Sequence, residues 1–98
     1  MLVHMKHVHT WDNCPAHNPE KIALLKKVLG SGAEKGVRVI SATVDAPAHT
    51  FFFLLEADSM EQLTRWFEPL LEWGQGEVDP VTDLMAISNM MESILAKK

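Results

Sequence analysis

Thr50-Phe51-Phe52-Phe53-Leu54-Leu55-Glu56-Ala57 sets the architecture of this chain. Aromatic and bulky aliphatic side chains suit a pleated strand, and successive side chains of a strand point to opposite faces. Phe51, Phe53 and Leu55 therefore share one face, and Phe52 and Leu54 share the other. Both faces are apolar, so both need cover. Upstream, Val37 to Val44 is rich in β-branched residues and reads as another strand. Asp45-Ala46-Pro47-Ala48-His49 between them is turn material, so the two strands form a hairpin.

Downstream of the hairpin, Ser59-Met60-Glu61-Gln62 has the capping-box pattern, with Ser closing the free N–H groups and Gln reaching back. Met60, Leu63, Trp66, Phe67, Leu70 and Leu71 recur at helical spacing, and Pro69 bends or ends the first segment. Gly74-Gln75-Gly76 reads as a break, followed by a strand from Glu77 to Asp83 in which Pro80 calls for an edge position or a bulge. Leu84 to Ala96 is an amphipathic helix with Leu84, Ile87, Met91, Ile94 and Leu95 on one side.

Upstream, Leu2 to Thr10 alternates apolar and polar residues as a strand does. Its phase slips, because Val3 and Met5 share one face and Val8 belongs to the other. A bulge near Lys6 or His7 would restore a single apolar face. Trp11 to His17 is a polar connection. Asn18-Pro19 opens a helix expected over 19–35, Asn as cap and Pro at the first position, with Gly36 as its C-terminal stop.

The order is βαββαβ plus a final helix. Two right-handed crossovers with helices on one side of a four-stranded antiparallel sheet give the α+β, ferredoxin-like split βαβ, as one domain spanning 1–98. The sheet face away from the helices would stay open, and Phe52 and Leu54 make it apolar, so a second copy of the chain is the expected cover.

Phe52-Phe53-Leu54-Leu55-Glu56-Ala57-Asp58-Ser59, the Trp66 helix and Glu77-Val78-Asp79-Pro80-Val81 together resemble the dimeric α/β-barrel superfamily, above all its small stand-alone members of unknown function. The resemblance spans roughly residues 37–84 and, more loosely, the first helix. Antibiotic-biosynthesis monooxygenases and muconolactone isomerases are more distant relatives in that superfamily. The resemblance implies two sheets packed face to face, with a cavity in each subunit that often holds a small organic molecule. Any enzyme activity it implies would be oxygenase- or isomerase-like, and no catalytic signature of either enzyme family is present.

Bulk properties narrow the function. At 98 residues, 47% hydrophobic and 22% charged, the chain has an ordinary globular balance. Its nine Lys and Arg residues are scattered in a chain of net charge −4, which argues against nucleic acid as a partner. The longest apolar run, Phe51 to Leu55, is too short for a bilayer, and the start lacks the basic-then-apolar pattern of a signal peptide. With Cys14 as the single cysteine, a reducing cytoplasm is the expected setting.

The densest chemistry lies in His7-Val8-His9-Thr10-Trp11-Asp12-Asn13-Cys14-Pro15-Ala16-His17. His7 and His9, two apart on a strand, share a face if the strand is regular. Cys14 and His17 are spaced to reach one ion from a turn. Imidazole and thiolate suit a transition metal such as zinc, so His7, His9, Cys14 and His17 form a candidate metal set. The competing reading is a polar strand face followed by a solvated loop. His4 and Lys6, on the opposite strand face, and Glu56, on the face of Phe52 and Leu54, are candidate acid/base groups if that face lines a cavity. Exposed strand ends would look the same. His49 reads as a solvated turn residue, and Trp66 as core.

Three functions remain open on these grounds: a homodimeric binder of a small organic molecule, a metal-binding protein using the His/Cys cluster, and a non-catalytic interaction domain.

Overall fold

The computed structural model describes residues 1–97. Its regular elements, in chain order, are β1 (Leu2–His9), α1 (Pro19–Gly30), β2 (Val37–Asp45), β3 (Thr50–Ala57), α2 (Met60–Phe67), β4 (Gly74–Pro80) and α3 (Leu84–Ala96). The strands form one four-stranded antiparallel sheet in the order β2-β3-β1-β4. Helix α1 carries the chain from β1 to β2 and α2 from β3 to β4, each crossover passing one strand, while β2 and β3 form a hairpin; this is the ferredoxin-like arrangement. No helix among the described residues is long and apolar enough to cross a membrane.

The alternation of β3 sorts the two faces as expected. Phe51, Phe53, Leu55 and Ala57 are buried, and Phe52 and Leu54 on the opposite face are only half-buried. In β1 the partners of Phe51, Phe53 and Leu55 are His7, Met5 and Val3, all buried. The expected bulge in β1 is absent: pairing with β3 runs without interruption from Leu2 to Val8. Imidazoles fill the inward positions at 7 and 9, so the strand keeps its phase with no apolar residue there. The sheet's register shift falls instead in β2, between Val39 and Ser41.

α1 ends at Gly30, short of residue 35, and a separate 3-10 turn over Ala33–Lys35 leads to Gly36, whose φ of 74° is the left-handed stop that glycine allows. Asn18 Oδ1 accepts from the N–H groups of Glu20 and Lys21 at 3.0 and 3.1 Å, capping the helix as its sequence indicates. At α2, Ser59 Oγ accepts from Gln62 N, and Gln62 Oε1 accepts from Asp58 N. α2 stops at Phe67, two residues before Pro69, and the chain tightens into a 3-10 helix over Glu68–Trp73. Leu63, Trp66, Phe67, Leu70 and Trp73 from this region close over the sheet, with Val28 contributed by α1.

β4 begins at Gly74 and not at Glu77, so the glycines that read as a break are its first residues. Gly74 belongs there because β1 comes too close for a side chain, and Gly76 sits against α2. A Cβ on Gly74 would collide with the backbone of Val8 and His9, and one on Gly76 would press on the Phe67 ring. Gly74→Ala should therefore destabilise the chain by about 1–3 kcal/mol, the cost of forced overpacking. A urea titration would register it, and a midpoint equal to the parent's would show that β4 can move away from β1 freely.

α3 matches its expected bounds but buries none of its residues: Leu84, Met85 and Leu95 are 76%, 69% and 66% exposed. The chain is accordingly drawn out, with a longest dimension of 58 Å and a radius of gyration of 16.4 Å.

Candidate functional site

At the end of the sheet where β1 runs out, three segments meet: the β1–α1 connection, the start of α1, and the β2–β3 turn. They enclose a pocket of about 540 Å³ whose lining includes His9, Trp11, Cys14, Leu25, His49 and Phe51. It lies on the helix side of the sheet, since His9 and Phe51 are on the buried face.

Each wall has a local cause. Asn13 N donates to Thr10 O and Asn18 N to Pro15 O, folding Trp11–His17 into two consecutive 3-10 turns with Cys14 at their junction. Buried Pro15 anchors this segment, and Lys21 Nζ ties it to α1 by donating to Asn13 O at 3.2 Å. In the β2–β3 turn, Ala48 N donates to Asp45 Oδ1 and His49 N to Ala46 O. His49 then takes φ 49°, the left-handed region that histidine enters more readily than most residues. Its carbonyl accepts from His9 N at 3.0 Å, which fixes the turn against the end of β1.

The result gathers His9, Cys14 and His49, each with a donor atom within 4.8 Å of the others. His9 is 4% exposed, and neither of its ring nitrogens has a hydrogen-bond partner; Nδ1 of His49 is likewise buried and unpartnered. Burial lowers the His9 pKa below the ordinary histidine value, and the charges of His7, His49 and Lys21 lower it further. A neutral imidazole keeps a lone pair for an ion or a hydrogen-bond donor. The set can therefore coordinate a cation, or orient a polar group at the end of an otherwise apolar ligand.

Of the histidines and cysteine singled out in the sequence, His9 and Cys14 stand together. His17 lines the same pocket outside this set of three. His7 shares the buried face, but its Nε2 pairs with Leu70 O at 3.1 Å, and because a carbonyl only accepts, Nε2 carries the proton. Its ring stacks on Phe51 and meets Phe67 edge-on, with centroids at 5.5 and 5.2 Å. Burial lowers the His7 pKa, and the Leu70 bond works against that shift. His49, read from the sequence as a solvated turn residue, completes the set. Pairing of Val8 with Thr50 is the signal that could have found it, since one step further along each strand sets His9 beside His49.

His4, Lys6 and Glu56 lie on the other sheet face. Glu56 is exposed and 3.3 Å from Arg38 Nη2, a surface pair of small energetic weight. Lys6 stands between Phe52 and Glu77, and His4 between Leu54 and Asp79. Of the tryptophans, Trp66 and Trp73 are core, whereas Trp11 is 80% exposed at the pocket mouth.

A family described as Domain of unknown function (DUF3303) matches residues 5–95, so the chain belongs to that family. No curated protein matches it.

Proposed function

We propose that this member of the DUF3303 family is a homodimeric protein that binds a small organic molecule in the pocket between the β1–α1 connection and the β2–β3 turn. The pocket itself carries the reading. Its volume of about 540 Å³ falls in the range of ligand sites, and its mostly apolar wall of Leu25, Val44 and Phe51 holds a few convergent polar groups at His9, Cys14 and His49. Trp11 at the mouth offers a flat surface for stacking. An apolar ligand with one hydrogen-bonding end fits this lining.

The test uses the dye 1-anilinonaphthalene-8-sulfonate, an aromatic body with an anionic group. Saturable binding of one dye per chain is expected, with quenching of Trp11 emission. Ala16→Phe combined with Ala46→Phe adds bulk to two lining positions outside the core and should weaken dye binding about tenfold or more, a loss of about 1.4 kcal/mol. Undiminished binding in that variant would remove the pocket as the ligand site.

The dimer rests on surface area. A monomer of 11.0 kDa ordinarily exposes about 5,600 Å², whereas this chain exposes 6794 Å², an excess of roughly 1,200 Å². Its radius of gyration of 16.4 Å likewise exceeds the roughly 12.6 Å usual for this length. The excess comes with an uncovered apolar face around Phe52 and Leu54 and an unpacked α3, and it matches what each partner of a stable dimer buries. Sheet-to-sheet pairing of two copies, as in the dimeric α/β-barrel superfamily, would enclose His4, Lys6 and Glu56 between the protomers.

A further inference from the structure

We propose that His9, Cys14 and His49 form a zinc(II) site on the pocket wall, with two imidazole nitrogens and one thiolate as ligands and the fourth position left to water or to a pocket-bound molecule. The donor atoms lie within 4.8 Å of one another. A tetrahedral zinc ion with Zn–N of about 2.0–2.1 Å and Zn–S of about 2.3 Å holds its ligand atoms roughly 3.3–3.6 Å apart. The widest pair must therefore close by at most about 1.5 Å, a distance within the reach of side-chain torsions.

Proximity alone would be weak grounds, because histidines and cysteines often cluster by chance. Here the nitrogens are also unsatisfied. His9 is buried with both ring nitrogens unpartnered, and buried Nδ1 of His49 has no partner either. Native interiors leave few such atoms unmatched. A cation that accepts one lone pair from each ring would satisfy one nitrogen of His9 and Nδ1 of His49 together.

The supports are already built. The His9 N to His49 O hydrogen bond locks the two residues together, and their rings meet edge-on at 5.4 Å. Cys14 sits at the junction of the paired 3-10 turns, a segment tied to α1 by the Lys21 Nζ hydrogen bond to Asn13 O. The donor chemistry narrows the ion: magnesium and calcium take oxygen ligands, whereas imidazole and thiolate suit transition metals, of which redox-inert zinc is the one proposed. Structural zinc sites close with four protein ligands, and a set of three leaves a position open. Since all three residues line the pocket, the open position is served from it. The site needs only these donors, so it stands apart from the organic-ligand reading, and the dye and metal experiments can fail separately.

The test titrates cobalt(II) alone, a spectroscopic stand-in for zinc, into the full chain after chelator treatment under reducing conditions. One equivalent should bind with a thiolate-to-cobalt band in the near ultraviolet and the visible bands of a tetrahedral ion, and zinc(II) should displace it. Cys14→Ser should abolish the thiolate band. His49→Asn should weaken binding about tenfold or more while the fold survives, because asparagine tolerates the left-handed backbone at this position. His17→Ala should leave the titration unchanged. No thiolate band, undiminished binding in His49→Asn, or loss of the ion in His17→Ala would each overturn the site.

Discussion

Trp66→Ala should lower the stability of the chain by about 3–5 kcal/mol, which is a large share of the roughly 5–15 kcal/mol typical of a native domain. Trp66 is 0% exposed and meets Phe53 edge-on at 5.7 Å and Phe67 at 5.8 Å. Removing the indole leaves a cavity between sheet and helices that these rings can fill only in part. The indole also has a polar task, since its Nε1–H donates to Val28 O at 2.8 Å. Val28 lies in the last turn of α1, where carbonyls lack helical partners, and Ser31 donates to the same oxygen. α2 thus helps cap α1. A urea titration should show the midpoint fall with little change in slope. Trp66→Phe should retain much of the packing and lose only the bond. Trp11→Ala, at 80% exposure, should stay within about 0.5 kcal/mol of the parent. Equal losses at positions 11 and 66 would contradict this division of labour.

Phe52→Asp should convert a dimer into a folded monomer of 11.0 kDa. Phe52 is half-buried on the open face, opposite Lys6 on β1 and Thr43 on β2, with the His4 ring at 6.2 Å. In a single chain an aspartate there meets water and a neighbouring lysine, so circular dichroism should change little. Between two sheets the same carboxylate is an uncompensated charge, which costs about 3–5 kcal/mol and weakens the dimer roughly 100-fold or more. Light scattering at micromolar concentration reads both states, with the parent at twice the monomer mass. A parent that is already monomeric, or a variant with undiminished association, would exclude this face as the interface.

The order of elements, the faces of β3, the caps at Asn18 and Ser59 and the bounds of α3 were legible in the sequence. Each rests on interactions within a few residues: alternation along a strand, spacing along a helix, a side chain closing the nearest free N–H group. What needed the tertiary structure depends on which segments come together. Gly74-Gln75-Gly76 reads locally as a break, and only the approach of β1 and Phe67 makes those glycines the right residues for a strand. His7 and His9 read as a polar face, and only packing against Phe51 turns them inward. Two imidazoles on one strand then separate in role, because Leu70, distant in sequence, takes a nitrogen of His7 and leaves both of His9 free. His49 joins Cys14 by the same logic. Thirty-four residues of chain lie between them, and the antiparallel pairing of β1 with β3 brings the turn back to the loop where β1 ends. Local spacing records which groups the chain carries, and strand register decides which of them meet.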